Sequence, residues 1–294
     1  KNKINLGKNM NNFLKATLVA SSVIFGSCVL TACTQTTNSM FGDDRSQLLL
    51  VSEETLNAEA KQAYDEVINQ AKANGTLNAD ENFSKRVDMI SKRLIDYAPE
   101  LRADCKNWNW EVNTIKDPTV NAWCMPGGKI CVYTGLNDTL NLTDDELASI
   151  IGHEISHALK EHSREKRSQA SLQSGLTTVA KILGVKKAVT DTANLAYNTA
   201  FAMPFSRDQE SEADKYGLEL MYKAGFDPNA SVTVMEKLSK FEKEESEKSG
   251  NTQNAADKLL SNITSTHPSS EQRFTDLRKL IEEYHLSQKN IDTK

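Results

Sequence analysis

The pentapeptide His153-Glu154-Ile155-Ser156-His157 constrains this chain more than any other stretch, because its two imidazoles can act together only on a helix. At about 100° per residue, positions four apart lie about 40° apart around a helix axis, so His153 and His157 project from one face within reach of one ion. Neutral imidazole is a good zinc ligand, and a hydrolytic zinc site leaves room for a water that a neighbouring carboxylate can deprotonate. Glu154 is that carboxylate. The helix carries its own start signal: Thr143-Asp144-Asp145-Glu146 has capping-box spacing, and Leu147, Ile150 and Ile151 fix one face against a core. A surface helix bearing two histidines is the bland alternative, so further ligands are needed.

The chain has five histidines. His162 falls about half a turn from the ligand face if the helix continues, and it is expected to face solvent. Sites with two histidines and a glutamate take the glutamate from a second helix, and Ser206-Arg207-Asp208-Gln209-Glu210-Ser211-Glu212-Ala213-Asp214 supplies the candidate. Glu210 and Asp214 share a face with Ala213 and Gly217, whereas Glu212 is about 200° from Glu210 and points elsewhere. Glu210 is therefore the better ligand. Small residues at 213 and 217 let the two helices approach closely, and Asp214 can accept a hydrogen bond from the nitrogen of a histidine that does not ligate. An exposed acidic face is the other reading of the same run.

Four blocks stand in order along the chain. They are Pro126-Gly127-Gly128-Lys129-Ile130 with Thr134-Gly135-Leu136, the HEISH helix, Ser206-Arg207 leading into Glu210-x-x-Ala213-Asp214, and His267-Pro268 followed by Arg273. Together they resemble the HtpX-like and CaaX-protease-like zinc metallopeptidases, and within them the periplasmic lipoprotein branch. The resemblance implies His153, His157 and Glu210 as ligands of one zinc per chain, Glu154 as general base and Asp214 as the carboxylate behind a ligand. For His267 it implies a place near the metal, either filling the open coordination position in a resting state or stabilising the oxyanion. Arg273 either donates to the tetrahedral intermediate or anchors its loop.

The activity implied is endopeptidase hydrolysis by promoted water. The implied substrates are misfolded or misassembled cell-envelope proteins, with outer-membrane assembly machinery as a further partner class. A zinc-stabilised chaperone or binding module with a latent site is the alternative; the presence of Glu154 argues against it, since a structural site needs no base beside its ligands. Serine and cysteine mechanisms lack support, because no GxSxG elbow occurs and Cys105, Cys124 and Cys131 sit in no cysteine-protease context. A net charge of −5 gives no electrostatic footprint for nucleic acid.

Lys1, Lys3, Lys8 and Lys15 precede an apolar stretch from Ala16 to Leu30, too short to span a bilayer and suited to a signal-peptide core. Leu30-Thr31-Ala32-Cys33 resembles a lipobox, so residues 1–32 are read as a lipoprotein signal peptide with Met10 as a plausible start. On that reading Cys33 is acylated, and Thr34-Gln35 favours the outer membrane facing the periplasm. Residues 33–48 are expected to be a flexible tether and residues 49–294 a single metallopeptidase domain. The expected fold class is α+β, predominantly helical and zincin-like, with a small antiparallel sheet beside the HExxH helix.

Helical spacing holds Ala60, Ala63, Tyr64, Val67, Ile68 and Ala71 together, and likewise Val87, Ile90, Leu94 and Tyr97; both helices are expected to flank the site helix. Short strands are expected within Trp108–Ile115 and Lys129–Tyr133 around the Pro-Gly-Gly turn. In the family that the chain resembles, an edge strand of this sheet lies along the cleft and takes up substrate as an added strand. A two-residue turn at Gly127-Gly128 opposes Cys124 to Cys131 at disulfide distance, with Cys105 as an alternative partner for either. The alanine- and threonine-rich run from Leu172 to Ala202 is expected to form helices that cap the cleft. Gly250 to Ala256 is expected to be an exposed loop.

Overall fold

The computed structural model describes residues 33–34, 37–42, 45–182, 204–248, 263–267 and 271–286. The signal-peptide reading, most of the 172–202 run, the 250–256 loop and Pro268 lie outside these residues. Two residues at each end of an N-terminal strap pair as β1 (Cys33–Thr34) and β2 (Gln47–Leu48). They precede α1 (Glu53–Ala73), capped by the Ser52 side chain, and α2 (Glu81–Leu101), capped by Asp80. A 3-10 turn (Ala103–Asn107) leads into β3 (Glu111–Ile115), β4 (Ala122–Met125) and β5 (Lys129–Tyr133). Then come α3 (Thr134–Leu140), α4 (Asp144–Leu159), α5 (His162–Ile182), α6 (Arg207–Lys223), α7 (Ala230–Lys248), α8 (Ile263–Thr266) and α9 (Glu271–Glu283).

This is the expected predominantly helical α+β architecture, with one difference in the sheet. Strand order is β3-β5-β4, and β3 runs parallel to β5 while β4 runs antiparallel to it, so the sheet is mixed. Ile130 and Val132 on β5 and Ala122 and Cys124 on β4 face the main core, which also takes in Ile90 and Leu94 of α2 and Ile151 and Ile155 of α4. The opposite face of the sheet, with Cys131 and Ile115, packs against Ala71 of α1. Hence α2 packs on the site helix α4, whereas α1 covers the far side of the sheet. Tyr97 departs from its expected place: the buried row in α2 continues through Ala98 and Leu101, and Tyr97 is exposed.

The hairpin turn also differs. Met125 pairs with Lys129, so Pro126-Gly127-Gly128 forms a three-residue connection, and Cys131 pairs with Trp123 instead of Cys124. Since alternate strand residues face opposite sides, the one-residue shift puts Cys124 and Cys131 on opposite faces of the sheet. Cys105, Cys124 and Cys131 are buried free thiols. Gly128 sits at φ +79°, and a Cβ there would lie 2.6 Å from the Trp110 ring, so both its backbone angle and its packing require glycine.

The strap corrects the expectation of a solvated tether. Thr37 Oγ1 donates to the Tyr216 hydroxyl at 2.9 Å, and Gln47 Nε2 donates to the Lys160 carbonyl at 2.6 Å. The Leu50 and Val51 amides donate to Ser168 Oγ at 2.9 and 3.1 Å. Thr37 and Gln47 are buried. Polar composition suggested a tether, but these polar groups bind other buried polar groups. Among the described residues no helix is long and apolar enough to cross a membrane.

Candidate active site

Helix α4 starts on a complete capping box. Thr143 Oγ1 accepts from the Glu146 amide at 3.2 Å, and the Glu146 carboxylate accepts from the Thr143 amide at 2.8 Å. Helix α6 starts on another, between Ser206 and Gln209. The two helices cross where Gly152 meets Gly217: a Cβ on Gly217 would lie 2.9 Å from the His153 amide nitrogen. This backbone-to-backbone approach brings Glu210 to the two histidines. The Nε2 atoms of His153 and His157 are 3.0 Å apart, and Glu210 lies 3.5 Å from the first and 3.4 Å from the second.

His267 joins them from the residue after α8. The His267 amide donates to the Ile263 carbonyl, and the Ile263 amide donates to the Val120 carbonyl at 2.8 Å, tying α8 to the residues just before β4. His267 Nδ1 is 2.9 Å from Glu210 Oε1 and 3.3 Å from His153 Nε2. One ligand atom from each of His153, His157, Glu210 and His267 lies within 4.8 Å of all the others. Tetrahedral zinc with nitrogen ligands at about 2.0–2.1 Å needs them roughly 3.3 Å apart, so the donor set fits zinc in both chemistry and spacing.

The ligand atoms are oriented from behind. Asp214 Oδ1 lies 3.0 Å from His153 Nδ1, and Arg273 joins Asp214 (2.6 and 2.7 Å) to Glu210 (2.7 Å). Arg273 is buried and anchors these two carboxylates. Behind His157 stands His162, with Nδ1 facing Nδ1 at 2.8 Å, and the other His162 nitrogen lies 3.0 Å from Glu212 Oε2. His162 is fully buried, a correction to the expectation that it faces solvent. The helix does not continue to it: the chain breaks at Lys160 and Glu161, with Glu161 at φ +54°, and α5 starts afresh at His162. Glu212 points away from the ligand cluster, as its spacing implies, but towards His162. Phe205 stacks on His157 with ring centroids 3.9 Å apart. No spacing rule flags Phe205 or His162, because neither lies on the face of the motif helix.

Glu154 is buried beside the cluster, and its Oε1 accepts no hydrogen bond from the described residues; His267 Nε2 is 3.5 Å away. Burial raises the Glu154 pKa, with the nearby His267 and His153 acting against it. A carboxylate so shifted is a better proton acceptor near neutral pH. Burial would also raise Glu210, but His267 and Arg273 outweigh it and hold the group well below the usual carboxylate range. His157 is pushed well below its ordinary value by burial, and His162 is lowered by the same cause, a direction that favours the neutral imidazole in both. For His153, Asp214 and Glu210 overcome burial and raise the pKa to about 10.

Comparison with known proteins agrees with this geometry. The model of peptidase family M48 matches residues 83–281, which spans both site helices and the His267 block. The chain belongs to peptidase family M48. Within M48, it is 35% identical over 170 residues to the mitochondrial metalloendopeptidase OMA1 of Arabidopsis thaliana, covering 56% of this chain and 30% of that one. It is 31% identical over 237 residues to the corresponding protein of Schizosaccharomyces pombe, covering 79% of this chain and 63% of that one. To the metalloprotease LoiP of Escherichia coli it is 30% identical over 237 residues, covering 78% and 87%. The match thus spans less than two thirds of either of the two OMA1 relatives. M48 peptidases depend on a metal, normally zinc, and among the described residues His153, His157, Glu210 and His267 form a group that could hold it.

Proposed function

We propose that this chain is a zinc-dependent endopeptidase of the bacterial cell envelope, lipid-anchored through Cys33 at the outer membrane and acting on misfolded or misassembled proteins in the periplasm. The observation that carries the chemistry is the convergence of two histidine Nε2 atoms and the Glu210 carboxylate beside a buried Glu154 whose Oε1 accepts no hydrogen bond from the described residues. Bound there, zinc supplies Lewis acidity for the scissile carbonyl and for water. Glu154 takes a proton from the attacking water and delivers it to the leaving amine. Asp214 and Arg273 hold His153 and Glu210 in place while charge moves. Strand β4 is an edge of the sheet and packs against α4, so its outer side suits an extended, unfolded segment that adds as a strand. Such backbone pairing tolerates many sequences, as a substrate class of misfolded proteins requires. The anchor rests on the pattern Leu30-Thr31-Ala32-Cys33.

The test is cleavage of an unfolded protein by the parent chain and by Glu154→Gln at matched zinc content. Cleavage by the parent, reduced at least a hundredfold in the variant, supports the peptidase and its base. Equal rates overturn the role of Glu154. A second reading, a latent zinc-bound module, is favoured by one observation: His267 Nδ1 already stands within the ligand cluster. Replacing His267 by alanine speeds cleavage if it occupies the position that substrate needs, and slows it if it serves the reaction.

A further inference from the structure

Arg45, in the strap and far ahead of the site motifs, ends up behind the metal ligand His157. Its Nε and Nη2 lie 3.0 and 2.5 Å from Glu212 Oε2, and its Nη1 and Nη2 make a bidentate pair with Glu165 at 2.6 and 2.8 Å. One guanidinium thus joins α5, which carries Glu165, to α6, which carries Glu212. Glu212 in turn meets His162, and His162 meets His157.

We propose that Arg45, Glu212 and His162 form a relay that fixes the orientation and tautomer of His157, which makes Arg45 a positioning residue of the metal site. This rests on the metallopeptidase reading above. An ionised carboxylate can only accept hydrogen bonds, so His162 Nε2, 3.0 Å from Glu212, must donate. A neutral imidazole has a single N–H, so His162 Nδ1 can then only accept. The atom facing it at 2.8 Å is His157 Nδ1, which must carry the hydrogen. His157 Nε2 is left with a lone pair, and that is the nitrogen turned towards His153 Nε2 and Glu210. Reversing any one donor reverses the whole chain and puts the hydrogen on the ligating nitrogen. An ion pair that served stability alone would not need a fully buried imidazole lined up between a carboxylate and a ligand.

Glu212→Gln tests this with little change of shape. Its amide can donate to His162 Nε2, so the reversed arrangement becomes available and the preference for the ligating tautomer is lost. Zinc affinity of the full chain is measured by competition with a chromophoric chelator, with the melting temperature of the metal-free protein alongside. Glu212→Gln and His162→Phe are expected to weaken binding about 10–100-fold, the range seen when a hydrogen-bond partner of a metal ligand is removed. Arg45→Gln is expected to weaken it several-fold and Arg45→Lys to recover part of that loss. Ser39→Ala removes a contact from the same strap to Glu219 and is expected to leave affinity at the parent level.

Parent-like affinity in Glu212→Gln and Arg45→Gln, whatever their melting temperatures, overturns the relay and leaves the zinc site standing. Equal weakening by Ser39→Ala also overturns it, since general loosening of the strap then suffices. A parent chain that binds no zinc overturns both readings. Long-range proton–nitrogen NMR of the metal-free parent needs no variant: His157 with its hydrogen on Nδ1 supports the relay, and on Nε2 refutes it.

Discussion

Arg273 shows how a single cation organises the site. It is buried and bonded to Asp214 and Glu210, and these contacts raise its pKa against the cost of burial. Removing it leaves two buried carboxylates facing each other across His153. Arg273→Met is therefore expected to cost about 3–5 kcal/mol, read by chemical denaturation of the metal-free protein. Arg273→Lys keeps the charge but not the planar fork, and is expected to recover part of the loss. The convergence of His153, His157 and Glu210 is legible in sequence: the four-residue spacings of His153 with His157 and of Glu210 with Asp214 are properties of a helix, and the helices are there. His162 was not legible, because its expected direction assumed a continuous helix, and the break at Lys160-Glu161 resets the phase. Nor does any local spacing connect Arg45 to Glu212, since that contact depends on how the strap lies across α5 and α6.

At the scale of elements, the capping box that announces α4 in sequence also sets its response to acid. Burial would raise the Glu146 pKa, but Lys237 at 2.7 Å and the Thr143 amide outweigh it and lower the group. A carboxylate lowered by folding contributes stability above its unfolded pKa, and that contribution is lost as pH falls through the folded value. Lys237→Gln is thus expected to cost roughly 0.5–1 kcal/mol at neutral pH, and the difference from the parent should vanish once acid protonates Glu146. Thermal melts of both proteins from pH 7 downwards check this; a difference that persists unchanged into acid refutes it. The sheet was only half legible for a related reason. Strand composition marks β3 and β5, but the parallel pairing of β3 with β5 depends on contacts far apart in sequence. The turn is one residue longer than the Gly127-Gly128 reading allows, which moves Cys131 to the opposite face from Cys124.

Across the whole molecule, the strap decides how far the fold extends. The 33–48 segment reads as a linker by composition, since its few apolar residues cannot drive burial by themselves. The structure instead places its polar groups against buried partners: Thr37 on Tyr216, Ser39 on Glu219, Arg45 on Glu165 and Glu212, and Gln47 on Lys160. Each partner lies on α6, on α5 or at the break before α5, so the strap crosses the seam between α5 and α6. Chains starting at Thr37 and at Val51 should therefore behave differently. Without the strap, Glu165, Glu212 and the Lys160 carbonyl lose hydrogen bonds that each contribute about 1 kcal/mol or more. In a protein of this size, a loss of a few kcal/mol lowers the melting temperature by roughly 5–10 °C. The chain from Thr37 is expected to melt with the parent and to resist trypsin at Arg45. The chain from Val51 is expected to melt lower and to bind zinc more weakly. Identical melting of the two chains, with rapid cleavage at Arg45 in the longer one, would return the segment to the role of a tether.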